Sequence, residues 1–155
     1  MSAKNWDAES GRDIVRAHKH LDGALLPILH ALQDHFGYVD AAAVPVIADE
    51  LNLSRAEVHG VLTFYHEFRK EPAGRHVVKI CRAEACQSMH GRELEEHIRR
   101  HLKVELGETS ADKRVTFEAV YCLGLCATAP SLMIDGKLHG RMNPEKFDKI
   151  AAELR

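Results

Sequence analysis

His76-Val77-Val78-Lys79-Ile80-Cys81-Arg82-Ala83-Glu84-Ala85-Cys86 is the stretch on which the fold turns. Its first five residues form a β-rich run, and the strand they predict delivers Cys81 at its C-terminal end. The same device recurs downstream. Val115, Phe117, Ala119 and Tyr121 alternate with a period of two, and that segment delivers Cys122 in Cys122-Leu123-Gly124-Leu125-Cys126. Residues 87–121 separate the two pairs, and the chain's 4 cysteines all lie in these two loops. If the two strands are neighbours, both loops meet at the sheet edge where open α/β folds place their sites.

Working outward, Gly91 to Leu102 reads as a helix with Leu94, Ile98 and Leu102 on one side. Gly107 to Lys113 reads as a polar connection. Leu132-Met133-Ile134 and Lys137-Leu138-His139, joined by Asp135-Gly136, read as a β-hairpin. Pro144 opens a last helix carrying Phe147, Ile150 and Leu154. The order β-α-β-β-α over residues 75–155 is that of a thioredoxin-like α/β sandwich.

Pro72-Ala73-Gly74 breaks the chain upstream of the first strand. Residues 1–71 read as a small helical bundle. Ser10 with Asp13 resembles a first helix start, ahead of Ile14, Val15 and Leu21. Asp22 is the expected cap of a second helix with Leu25, Ile28, Leu29, Leu32 and Phe36 at spacings of three and four, ended by Gly37. Asp40 is the expected cap of a third helix with Val44, Ile47 and Leu51. Pro45 lies too far in for a first-turn proline, so this helix starts late or bends. Ser54 with Glu57 forms a capping box before a fourth helix bearing Val58, Val61, Leu62 and Tyr65. The fold class is therefore α/β: a small N-terminal helical bundle followed by the sandwich.

The 155 residues fit one domain or two small ones. With 45% hydrophobic and 28% charged residues and a formal net charge of -2, the chain has a core but no basic field for nucleic acid or a membrane surface. No apolar run reaches the ~20 residues of a membrane span. Met1 to Arg12 is polar and lacks the apolar stretch of a secretory signal. A cytoplasmic location is expected, where thiols stay reduced and clustered cysteines point to metal or redox chemistry.

Four thiolates in two pairs suit a [2Fe–2S] cluster. Reduction adds negative charge, which the protein must stabilise. Gly124 lets the backbone curl so that N–H groups can point at sulfur. Ala127, Ala129 and Pro130 cover the site with little bulk, and Arg82 and Arg141 are candidate nearby cations. Structural zinc is the leading alternative, although its ligand pairs are usually closer, often Cys-x-x-Cys. Disulfides, and a thiol–disulfide enzyme lacking the usual Cys-x-x-Cys, are further alternatives.

The pattern Cys81-x4-Cys86, Cys122-x3-Cys126, Ala129-Pro130 resembles the thioredoxin-like [2Fe–2S] ferredoxin family, which includes the small peripheral-arm subunit of NADH:quinone oxidoreductase. Leu26-Pro27-Ile28-Leu29-His30, Phe36-Gly37-Tyr38 and Glu57-Val58-His59-Gly60-Val61-Leu62-Thr63-Phe64-Tyr65 are similar to the family's bundle. The resemblance spans roughly residues 20 to 150. Two departures matter: the first loop has Arg82-Ala83-Glu84-Ala85 where respiratory subunits usually place Gly and Thr, and Val115 stands where Phe is common. Cys81 to Ser88 and Thr63 to Arg69 look more like the gamma subunit of soluble, NAD-dependent formate dehydrogenase.

The resemblance implies that Cys81, Cys86, Cys122 and Cys126 hold one [2Fe–2S] cluster in an electron-transfer subunit without substrate chemistry of its own. It implies two partners in the same complex: a flavin- and NAD-binding subunit, and a molybdenum or tungsten subunit that oxidises formate. The alternatives are the equivalent subunit of NADH:quinone oxidoreductase or of a bidirectional NAD-linked hydrogenase, or a zinc-stabilised interaction domain. A homodimer is an admissible state of the isolated chain.

His97 and His101 stand at i and i+4 on one helix, a spacing that can bind metal. With Glu93 and Glu96 nearby and no third ligand evident in sequence, they read as a solvated face. His30, His59 and His66 read as core or interface residues of the bundle. Tyr65 and Phe68, beside Arg69 and Lys70, are candidates for a docking face toward the flavin subunit.

Overall fold

A computed structural model describes residues 5–154. The chain divides into two compact units, Met1–Pro72 and Ala73–Arg155.

The first unit holds four helices: α1 (Ala8–His18), α2 (Leu25–Phe36), α3 (Ala43–Leu51) and α4 (Arg55–Phe64). Val15, Ile28, Leu29, Leu32, Phe36, Ile47, Val58 and Leu62 are its buried core, with Trp6 packed on Phe36 at 5.1 Å between ring centroids. The Ser54–Glu57 capping box is formed in full, and Gly37 ends α2 in the left-handed conformation (φ 84°). Two expected caps are corrected. Asp7, not Ser10, caps α1: its side chain accepts the Ser10 N–H at 2.8 Å, so Ser10 lies inside the helix. No side chain caps α2, because a turn carries the chain from Asp22 to Ala24 before the helix begins at Leu25. The Asp40 cap is corrected as well: no side chain caps α3, whose N-cap position is Ala42, and Asp40 only accepts the Ala42 N–H ahead of it. The helix start at Ala43 leaves Pro45 in the first turn, where a missing N–H costs nothing. Phe68 is buried at 5% exposure and belongs to the core, which removes it from any docking face. His30, His59 and His66 are exposed, which removes them from the core, because the interior is filled by aliphatic and Phe side chains.

The second unit contains β1 (His76–Cys81), α5 (Glu84–Ser88), α6 (Gly91–Leu102), β2 (Val115–Val120), a 3-10 turn (Cys126–Thr128), β3 (Leu132–Ile134), β4 (Lys137–His139) and α7 (Pro144–Ala151). The sheet order is β2-β1-β3-β4, with β1 and β2 parallel and the other two pairings antiparallel. Val78, Ile80, Val115, Phe117, Leu132 and Ile134 pack against Leu94, Ile98, Leu102 and Phe147 from the helices. Asp135 (φ 49°) and Gly136 (φ 82°) make the two-residue hairpin turn with both central residues at positive φ, as Asp-Gly favours. Asn143 caps α7 through the Lys146 N–H, with Pro144 in its first turn.

The alternation from Val115 to Tyr121 holds only in part. Val115 and Phe117 are core, but Thr116 is buried as well, its hydroxyl accepting the Gly74 N–H at 2.7 Å and pairing with Thr109 at 2.8 Å. The strand stops at Val120, and Tyr121 is 74% exposed. The segment read as a polar connection pairs back onto β2: Gly107 N–H to Phe117 O, Ser110 N–H to Val115 O, and a Thr109–Thr116 bridge. It thereby covers an edge that would otherwise expose unpaired backbone groups.

Two substitutions test this packing. Phe117→Ala, at a site with no solvent exposure, should destabilise the protein by about 3–5 kcal/mol, read from chemical denaturation. Ser54→Ala should remove the α4 cap at about 1 kcal/mol, read the same way.

Candidate metal centre

The parallel register pairs Cys81 with Val120, so Cys81 ends β1 level with the last residue of β2 and Cys122 follows two residues later. The expected meeting of the two loops at one edge is what the structure shows. Arg82 N–H to Val120 O at 2.8 Å joins the loops where they leave the sheet. On the other side of β1, the Cys81 N–H donates to Ser131 O at 3.1 Å. Cys86 lies within α5, a helix that the sequence reading missed because five residues give no periodicity to read. A Cβ at Gly91 would overlap the Cys86 carbonyl, so α6 starts directly against the first loop and only glycine fits there.

All four thiols are free. Cys81 and Cys86 are buried, and Cys122 and Cys126 are exposed. The Cys122 and Cys126 sulfurs stand 3.7 Å apart. Two ligands on one tetrahedral metal with bonds of about 2.3 Å lie at about that separation. Cys122 has a positive φ of 141° and Gly124 of 75°. This curl turns the Gly124 N–H onto Cys122 Sγ at 3.3 Å, the role expected of the glycine.

The electrostatics separate the four. Burial disfavours the Cys81 thiolate, yet the Ala83 N–H, the Cys86 thiol, the Leu123 N–H and the Ser131 hydroxyl all turn toward its sulfur. Together they hold its pKa below the ordinary thiol value. Burial pushes the Cys86 thiol up, against the pull of Ser131. Cys126 is pushed up by its hydrogen bond to Cys122 and by that neighbour's charge, with smaller effects from burial and from Cys86 and Cys81. Four thiolates this close repel one another, so full ionisation calls for a cationic centre between them. The donor set therefore fits a group bound by four soft, deprotonated sulfurs, whether an iron–sulfur cluster or zinc.

Ser131 is the residue that sequence reasoning missed. It is 1% exposed, accepts the Cys81 N–H, and sets its hydroxyl 3.5 Å from Cys86 Sγ. A serine before an apolar strand carries no signal of such a role. Arg82, a candidate cation, instead pairs with Glu95 at 3.0 Å. Arg141 enters through its backbone, its N–H donating to Thr128 O at 2.6 Å and so fastening the turn that begins at Cys126.

No helix among the described residues is long and apolar enough to cross a membrane. A subunit of the NADH-quinone oxidoreductase of Pseudomonas aeruginosa is 35% identical over 127 residues, covering 82% of this chain and 76% of that protein. The HndA subunit of the NADP-reducing hydrogenase of Solidesulfovibrio fructosivorans is 31% identical over 145 residues, covering 92% and 85%. An NAD+-reducing [NiFe]-hydrogenase chain, solved in its air-oxidised state, superposes with a TM-score of 0.72 at 23% identity. That match covers 84% of this chain but 22% of the hydrogenase chain, and it speaks to the fold alone. The profile of the thioredoxin-like [2Fe–2S] ferredoxins matches residues 12–155. With that match the choice between zinc and an iron–sulfur cluster closes: the chain belongs to the thioredoxin-like [2Fe–2S] ferredoxin family and carries a [2Fe–2S] cluster.

Proposed function

We propose that Cys81, Cys86, Cys122 and Cys126 are the four ligands of that cluster, the first pair on one iron and the second on the other. The observation that carries this is the meeting of both thiol pairs at the ends of two adjacent parallel strands, with Cys122 and Cys126 spaced as ligands of one metal. When bound, the cluster takes up and releases single electrons. The chain's own part is to hold the site and tune it. Buried Cys81 and Cys86 exclude water on one side. The N–H groups of Ala83, Leu123 and Gly124 and the Ser131 hydroxyl direct positive dipole ends at sulfur, which favours the more negative state. No general base or nucleophile is needed.

The chain serves, in this reading, as the electron-transfer subunit of a cytoplasmic NAD-dependent formate dehydrogenase. It works beside a flavin- and NAD-binding subunit and a molybdenum or tungsten subunit that oxidises formate. Support comes from the first loop, which with Val115 departs from the respiratory pattern, and from the resemblance of Cys81 to Ser88 and of Thr63 to Arg69 to the formate dehydrogenase gamma subunit. The names of the relatives favour a second reading, the same subunit in a quinone-reducing or hydrogenase complex. Affinity purification of the tagged chain from its host decides between them. A molybdopterin-containing partner supports the formate assignment, and a nickel–iron or quinone-reducing partner overturns it.

Anaerobically purified protein should contain iron and acid-labile sulfide in equal amounts and give a paramagnetic resonance signal after dithionite reduction. Each of the four Cys→Ala variants should lose or severely weaken visible cluster absorption. A colourless protein whose zinc is bound by sulfur would defeat the assignment. Ser131→Ala should keep the cluster but lower its reduction potential in a redox titration, because one donor to a ligand sulfur is lost. An unchanged potential would show that the hydroxyl has no part in tuning.

A further inference from the structure

We propose that His97, His101 and Asp148 form a second metal site, open to solvent, for a zinc-class divalent cation that clamps α6 to α7. The sequence offers two histidines one helical turn apart and withholds the third ligand, because Asp148 lies on another helix. Folding supplies it. His97 Nε2 is 2.7 Å from Asp148 Oδ1, and His101 Nδ1 is 3.1 Å from the same oxygen. The three ligand atoms all lie within 4.8 Å of one another.

The donor set is two imidazole nitrogens and a carboxylate oxygen, the borderline chemistry that Zn2+ prefers. Tetrahedral zinc with bonds of about 2.0–2.1 Å holds its ligand atoms about 3.3 Å apart. The two measured separations need to lengthen by only about 0.2–0.6 Å, within the reach of side-chain torsions. Without a cation, both ring nitrogens face one carboxylate oxygen. With it, each of those nitrogens carries the metal in place of a proton. Phe147, fully buried beside Asp148, meets both imidazoles edge-on, with centroids 6.2 Å from His97 and 5.5 Å from His101. Its packing preorganises both rings. Side-chain exposures of 27% for His97, 40% for His101 and 44% for Asp148 leave water free to complete the coordination shell.

The site is separate from the thiols. His97 and His101 lie about 9 and 15 Å along α6 from Gly91, the residue that abuts the first cysteine loop. A cation here thus shares no ligand with the thiols and is read apart from them.

The test uses the full chain with its cluster in place. Zn2+ titration calorimetry should show one equivalent bound per chain, and zinc-edge X-ray absorption should show a shell of nitrogen and oxygen with imidazole scattering and no sulfur. His97→Gln, His101→Gln and Asp148→Asn should each weaken binding about tenfold or more while cluster absorption and circular dichroism stay unchanged. Asp148→Asn keeps the size of the side chain and so isolates the charge. His90→Gln, which alters an exposed His–Glu pair on the same helix's N-terminal side, should leave binding unchanged. Failure to bind zinc, a sulfur-containing shell, or equal affinity in the His97→Gln/His101→Gln double variant would overturn the site.

Discussion

Parallel hydrogen bonding of β1 to β2 is the constraint on which the metal centre rests. Cys81 and Cys122 are distant in sequence, and only the register that places Cys81 beside Val120 makes them neighbours. That register is fixed by burial. Val115 and Phe117 must face Leu94, Ile98 and Phe147, and a slip of one residue would turn them to the opposite face. A core decision made by two apolar side chains thus sets where the second pair of sulfurs begins. The antiparallel partner completes the frame: β3 follows directly on Ser131, whose carbonyl receives the Cys81 N–H. The central strand β1 is braced on both sides at the residue that carries the first thiol.

The two pairs of thiols experience different surroundings. Cys81 and Cys86 lie in the interior, where a thiolate survives only with donors aimed at it, and for Cys81 those donors outweigh desolvation. Cys122 and Cys126 ride on an exposed loop that achieves its curl through positive φ at Cys122 and Gly124. The buried side resists water, and the exposed side is the one a redox partner can approach. A one-electron centre gains from this asymmetry. A rigid, dry flank limits reorganisation on reduction, and an open flank shortens the path for the electron.

Much of this was legible in the chain. The two strands ending on cysteines, the Asp-Gly hairpin, the Ser54–Glu57 box and the Gly37 stop all follow from local rules of backbone geometry, and local rules can be read one segment at a time. What could not be read is what depends on partners far apart in sequence. Thr116 breaks the alternation of β2 because Gly74 and Thr109 satisfy its hydroxyl inside the fold. Ser131 becomes part of the sulfur environment because β3 lies beside β1, a fact absent from the letters around it. Asp22 and Ser10 resemble caps, but the true ends of α1 and α2 are set by where tertiary packing lets the helices begin. The histidine pair belongs with these: His97 and His101 announced a spacing, and only the packing of α6 on α7 disclosed the carboxylate.

Helix α6 links the two sites mechanically. Its first residue, Gly91, stands so close to the Cys86 carbonyl that no side chain fits between, and its last turns carry the histidines that face α7. Leu94, Ile98 and Leu102 bed the rest of it on the sheet. A dication at the far end acts only weakly by charge on the first cysteine loop, since Gly91 at that loop is about 9 to 15 Å away along the helix, beyond the screening length of about 8 Å at physiological salt. It acts more directly by restraint. Fixing α6 to α7 limits the motion of Gly91, and with it the backbone that presents the buried Cys86 thiol.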